Sequence, residues 1–234
     1  MYNTSLFTSF KGGIEMDDAL IVVDIQNDFC PGGVLAVPEG DSIIPKVNEL
    51  LSAYSLSILT QDWHPAMHCS FASSKGLPPF SLDMGTRPPS VLWPDHCIAG
   101  SQGADFHPAL QSWRARYIFR KGTRKELDSY SAFLENDGVT STGLAGLLSS
   151  LGVDKVIVCG LATDYCVKAT ALDARRLGFE VVVVEDAIRG IGASPDDIEN
   201  AQVQMREEGC VFAQSGDLMA SYTISSISPS KGII

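Results

Sequence analysis

The chain has 234 residues, 45% of them hydrophobic and 8% aromatic, with a formal net charge of −11. That length and apolar content suit one large soluble α/β domain with a sizeable core. The acidic balance argues against a binder of nucleic-acid phosphates. No apolar run approaches the roughly 20 residues that span a bilayer.

Residues 1–17, MYNTSLFTSFKGGIEMD, lack the apolar core of a secretory signal and the arginines of a transit peptide. They read as a weakly ordered leader, with Met16 as an alternative start. A single domain is expected over 18–220. The Ser- and Ile-rich stretch 221–234 reads as a surface tail. The six cysteines show neither CxxC pairs nor zinc-finger spacing. Without an export signal they fit reduced thiols and a cytoplasmic location.

Ala19-Leu-Ile-Val-Val-Asp24 is a continuous apolar run ending in a carboxylate, the pattern of a buried parallel strand. The loop QNDFCPGG follows it. Asp41 is placed to cap a helix running to about Tyr54, with Ile44, Val47, Leu50 and Leu51 on one face. Pro45 stands near its start, where it is best tolerated. Ser57–Thr60 reads as the second strand. From 61 to 112 periodicity stops and seven prolines intervene. A stretch that long is expected to be a functional excursion, not a plain connector. Arg116–Arg120 is the third strand and 143–151 a helix.

Val156–Val158 is the fourth strand, which Gly160 is expected to break. Leu161-Ala162-Thr163 then turns the chain into a helix running from Asp164 to before Gly178. Cys166 falls in that helix's first turn, near unpaired N–H groups and the positive end of the dipole, both of which favour a thiolate. Glu180–Glu185 is the fifth strand. Ser194 or Asp196 is placed to cap a helix to about Glu208, and 209–212 is a short sixth strand. This alternation predicts a doubly wound, mostly parallel six-stranded sheet with helices on both faces. No GxGxxG follows the first strand, so a dinucleotide site is not expected.

Ligands of open parallel sheets bind beyond the carboxyl ends of the strands. Asp24 follows the first strand, Asp62 and His64 the second, Lys121 the third, and the turn carrying Cys166 the fourth. Each has an unremarkable reading: a loop cap, a surface lysine, a buried core thiol. Together on one rim they point to chemistry. All four histidines (64, 68, 96 and 107) lie in the excursion. Asp62 and His64, two apart, share a face of an extended segment. With His96 they form a set suited to Zn²⁺, Fe²⁺ or Mn²⁺. His68 is a candidate fourth ligand or supporting donor, and His107 reads as a surface loop.

The stretches VVDIQNDFCPGG (22–33), TQDWHPAMHCSF (60–71), LWPDHCIAGSQGADFHP (92–108), FRKG (119–122), YSAF (130–133), GLATDYCVKATALDA (160–174) and EDAIRG (185–190) carry a resemblance. In that order they resemble the nicotinamidase/pyrazinamidase family of isochorismatase-like cysteine hydrolases. The resemblance implies hydrolysis of nicotinamide to nicotinate and ammonia through a cysteine thioester, in NAD salvage, with pyrazinamide as a surrogate substrate. It implies a catalytic triad of Asp24, Lys121 and Cys166. It further implies one divalent metal ion, zinc first, on Asp62, His64 and His96. Phe29 and Trp93 match positions against the pyridine ring, Tyr130 a pocket wall, and Leu161-Ala162 a cis peptide beside the substrate. The N–H groups of Ala162 and Cys166 match an oxyanion hole. Relatives are often oligomers, which leaves room for a homo-oligomer and for 73–89 as an interface, a lid or simply variable surface. The alternatives are an amidohydrolase of ureido or N-carbamoyl substrates, whose relatives generally lack the Asp-x-His…His set, and a non-catalytic metal-binding protein on the same fold. An isochorismate-type vinyl-ether hydrolase, which works without the cysteine, is the weaker reading.

Overall fold

The computed structural model describes residues 18–86 and 89–220. The leader at 1–17 and the tail at 221–234 lie outside the described residues. The chain runs in the order β1 (Ala19–Val23), α1 (Ile44–Ala53), β2 (Ser57–Asp62), α2 (Ala72–Lys75), β3 (Leu82–Asp83) and β4 (Ser90–Val91). It continues through β5 (Tyr117–Lys121), α3 (Leu144–Ser150), β6 (Lys155–Leu161), α4 (Lys168–Arg176), β7 (Glu180–Arg189), α5 (Asp197–Glu207) and β8 (Val211–Ala213). Six strands form one sheet in the order β5-β2-β1-β6-β7-β8, every neighbouring pair parallel. β3 and β4 make a small antiparallel pair inside the excursion.

Strand periodicity divides the core. Along fully buried β1, Leu20 and Val22 join one apolar cluster and Ala19, Ile21 and Val23 the other. The first cluster takes Ile44, Val47, Leu50 and Leu51 of α1. The second takes Leu144 and Leu148 of α3, Ala171 and Ala174 of α4, and Met205 of α5. Helices therefore cover both faces, as a parallel sheet requires. The strand order reverses direction between β1 and β6, and the crevice at that switch point is where Asp24 and the turn after β6 meet.

The expected elements are present with instructive shifts. Gly160 does not end its strand: β6 continues through it to Leu161. Its φ of +116°, and a Val23 carbonyl oxygen only 2.1 Å from where a Cβ would stand, show that glycine lets β1 and β6 approach closely. No α-helix starts at Asp164: Thr163–Val167 forms a π-type turn and α4 begins only at Lys168. The expected side-chain caps are not made. Asp41 lies inside a 3-10 turn, Gly40–Ile43, that leads into α1. The Asp196 side chain bonds no amide of α5, and Ser194 contributes its backbone N–H to Asp197 Oδ2. β2 and β7 run further than the apolar runs suggest, because their last residues stay in backbone register with a neighbouring strand: Gln61 and Asp62 with Arg120 and Lys121, and Ile188 and Arg189 with Gly160 and Leu161. No helix among the described residues is long and apolar enough to cross a membrane.

Candidate active site

Three strand ends converge on one ammonium. Asp62 and Lys121 are register partners at the ends of β2 and β5. Lys121 Nζ donates to Asp62 Oδ1, to the Ser129 carbonyl at 3.2 Å and to Cys166 Sγ at 3.4 Å. It also lies 2.7 Å from Asp24 Oδ2. Asp24, just past β1, has a left-handed φ of 47°, uncommon outside glycine and often found at functional positions. Thr60 fixes it from β2: its hydroxyl donates to Asp24 Oδ1 at 2.5 Å and accepts from Asp24 N at 3.1 Å. Gln26 clamps the end of β2. Its side-chain amide donates to the Asp62 carbonyl and accepts from Asp62 N, both at 2.8 Å.

The thiol arrives from the other side of the switch point. The Leu161–Ala162 peptide is cis. The π-type turn that follows buries Cys166, with Sγ within 4.8 Å of a carboxylate oxygen of both Asp24 and Asp62. Asp164 holds this turn down: its two carboxylate oxygens accept from Ile191 N and Gly192 N, each at 2.9 Å. The Leu161 side chain does not line the pocket. It turns into the core beside Gly40, and Ala162 forms the wall there instead.

The excursion supplies the imidazoles. His64 and His96 turn Nε2 toward Asp62 Oδ2, at 3.5 and 3.9 Å. Their Nδ1 atoms face the backbone carbonyls of Gly122 at 2.9 Å and Pro94 at 2.8 Å. A carbonyl takes a proton at Nδ1, which leaves the Nε2 lone pairs free and convergent, the arrangement of metal-ligating histidines. Ligand atoms of Asp62, His64 and His96 all lie within 4.8 Å of one another. This donor set fits one divalent cation with positions left over. Gly122 is required here: with φ of +61°, any Cβ would stand 2.3 Å from the His64 ring. His68 is outside this set. It stacks on His64 at 4.2 Å with Nδ1 on Ser70 Oγ at 2.7 Å, and supports the His64 ring from behind. His107 is only partly buried and accepts from Ala109 N.

The charges are strongly conditioned by burial. Burial raises the Asp24 carboxyl to about 6, against the opposing pull of Lys121. Burial alone would discharge Lys121, but Asp24 and Asp62 overcome it and hold the ammonium well above its ordinary pKa. Asp62 is likewise disfavoured by burial yet kept below the ordinary carboxylate range by Lys121 and His64. Burial lowers His96 to about 4, which favours its neutral, ligand form. Burial pushes the Cys166 thiol well above 9, with Lys121 pulling the other way. Cys166 lies in the turn ahead of α4 and not in the first turn of an α-helix. Burial disfavours its thiolate, while Asp24 and Lys121 stand beside it to take the proton and to compensate the charge.

Above these groups is a pocket walled by Phe29, Trp93, Tyr130 and Tyr165 as well as His64, His96 and Cys166. Trp93 Nε1–H donates to the Tyr130 hydroxyl at 3.0 Å, and Tyr165 meets the Trp93 ring edge-on at 4.8 Å. Thr60, Gln26, Asp128, Asp164 and Tyr165 went unpredicted. Asp164 and Tyr165 adjoin the cysteine inside TDYC, which was the available signal.

A doubly wound α/β sheet with a Cys–Lys–Asp cluster at its switch point defines a cysteine-centred hydrolase architecture. The isochorismatase domain family matches residues 18–215, and the chain belongs to that family. It is 44% identical over 203 residues to the nicotinamidase of Escherichia coli, covering 85% of this chain and 95% of that one. Solved structures agree. A Pnc1 protein from L. infantum in complex with nicotinate is 40% identical with a TM-score of 0.75, covering 86% of this chain and 94% of the other. A pyrazinamidase of Pyrococcus horikoshii in complex with zinc is 42% identical with a TM-score of 0.70, covering 85% and 99%.

Proposed function

We propose that this chain is an amidohydrolase converting nicotinamide to nicotinate and ammonia, with pyrazinamide as a surrogate substrate and nicotinate feeding NAD salvage. The observation that carries this reading is the juxtaposition, in one aromatic pocket, of the Asp24–Lys121–Cys166 cluster and the Asp62–His64–His96 set. The first can open an amide; the second can hold a ring nitrogen. The intact donor set and Trp93 favour a pyridine carboxamide over ureido or N-carbamoyl substrates.

In the reaction, Asp24 takes the Cys166 proton and the sulfur attacks the carboxamide carbon. The positive charge of Lys121 compensates the sulfur anion as it forms. The N–H groups of Ala162 and Cys166 receive the negative oxygen, where one such donor is typically worth about 3 kcal/mol. Asp24 returns the proton to the departing nitrogen, and ammonia leaves a thioester. Water, deprotonated by Asp24, hydrolyses it to the carboxylate and the free thiol. Phe29, Trp93 and Tyr130 sandwich and orient the ring and exclude bulk water. A divalent ion held by Asp62, His64 and His96, for which we favour zinc, would supply a Lewis-acid anchor for the ring nitrogen. The six free cysteines support a reducing, cytoplasmic compartment for the enzyme.

The test is ammonia release from nicotinamide by the purified chain, with metal content measured on the same sample. Turnover should be lost in Cys166→Ala. Full activity of that variant would end the reading.

A further inference from the structure

One residue, Cys97, links the two segments that carry the convergent imidazoles. It follows His96 directly in the chain, and its carbonyl accepts from His64 N at 2.9 Å. Cys97 is fully buried and has a left-handed φ of 46°, a conformation that a non-glycine residue keeps only where its surroundings fix it. The fixing group is Asp28, whose Oδ2 accepts from Cys97 N at 2.7 Å. The carboxylate is closely seated: a Cβ at Gly103 would stand 2.1 Å from Asp28 Oδ2. Asp28 is itself held, since its carbonyl accepts from Leu35 N at 3.0 Å. The next residue, Phe29, sets its ring 5.6 Å from that of His96.

We infer that Asp28 is a positioning residue for the cation site: by holding Cys97 in its left-handed turn, it sets the spacing of His64 and His96 before a cation arrives. The inference rests on the reading of Asp62, His64 and His96 as ligands of one divalent ion. Both imidazoles come from irregular chain, whereas Asp28 lies in the 3-10 turn, Asn27–Phe29, that closely follows β1. Its carboxylate thus ties the excursion to the sheet. Carboxylates are the stronger acceptors of backbone N–H bonds. Removing this one leaves a buried donor without its partner and a left-handed turn without its restraint. The imidazoles then lose their preorganisation, and the ordering they need opposes cation binding. Asp24 and Lys121 are held instead by Thr60 and by sheet register.

The experiment titrates the metal-free chain with Zn²⁺ against a chromophoric chelator. Asp28→Ala should bind Zn²⁺ about 10- to 100-fold more weakly, the range typical when a partner behind a metal ligand is lost. Asn keeps one side-chain acceptor oxygen, so Asp28→Asn should recover affinity to within about 5-fold of wild type. Gly103→Ala leaves Asp28 and every ligand in place but crowds the carboxylate, and should weaken binding by about 5-fold or more. The visible absorption of bound Co²⁺ should change in Asp28→Ala and stay wild-type-like in Asp28→Asn. Alkylation of Cys166 by iodoacetamide in the metal-free protein, read by peptide mass, should stay within about 2-fold of wild type in each variant. Wild-type Zn²⁺ affinity in Asp28→Ala would overturn the inference even if the melting temperature fell, and so would an equal loss in Asp28→Asn. If Asp28→Ala does not fold, Gly103→Ala decides: unchanged Zn²⁺ affinity there overturns the inference. A wild-type chain that binds no divalent ion would instead remove the cation reading itself, and the role of Asp28 with it.

Discussion

The reacting groups and the ring-binding groups reach one pocket by different routes. Asp24, Asp62 and Lys121 stand at the ends of three adjacent strands, where sheet register sets their spacing, and Cys166 is delivered by the turn that follows the fourth. His64, Trp93 and His96 come from irregular chain between β2 and β5. They are positioned by local bonds: Nδ1 to a carbonyl, indole N–H to a phenol. The two sets tolerate change differently. A strand end is anchored by two buried apolar clusters, whereas a loop histidine is anchored by one hydrogen bond and its stacking neighbours. Damage at the strand ends should therefore appear in the chemical step with the fold intact. Damage in the excursion should appear first in metal content and substrate affinity.

The largest effect belongs to the strand ends. Cys166→Ala should lower kcat by about 10⁴-fold or more while circular dichroism and Tm stay near wild type. Asp24→Asn should cost about 10³-fold. On the excursion side, His64→Ala should weaken metal retention by at least about 10- to 100-fold, read by metal analysis after dialysis, and raise KM. Metal bound as tightly as in wild type would show that His64 is no ligand and would collapse the contrast. Next comes pH. Asp24 must be ionised to accept the thiol proton, so kcat/KM should fall about tenfold per unit as pH drops below about 6 and level off above it. Thr60 bonds the ionised form and lowers this pKa. Thr60→Val should therefore move the acidic limb to higher pH without changing bound metal. The smallest effect is at Asp164, which joins the cysteine turn to the 191–192 backbone. Asp164→Asn keeps one acceptor oxygen for two amides and should cost about 1–3 kcal/mol of stability in thermal or denaturant unfolding.

The sheet was readable in the sequence because buried parallel strands are written as unbroken apolar runs, as in 19–23 and 181–184. The rim residues were readable because each strand run stops at a group that burial would otherwise forbid. Where the sequence misled, the competing force was tertiary. Gly160 looks like a strand breaker but serves contact between two backbones. The helix expected from Asp164 is displaced by a turn whose hydrogen bonds answer to Ile191 and Gly192, far along the chain. Thr60 and Gln26 carry no motif of their own. Their roles exist only once β1 and β2 lie side by side.

Asp62 is a single carboxylate with two faces: Oδ1 serves the lysine of the sulfur chemistry, and Oδ2 serves the imidazoles. Any shift of electron density toward one face is withdrawn from the other. Proton affinity at Asp24 and the readiness of His64 and His96 to bind a cation are therefore thermodynamically linked, and the linkage is reciprocal. A change made among the histidines will register in the titration of a group on another strand, and selection cannot adjust either function of this pocket without retuning its neighbour.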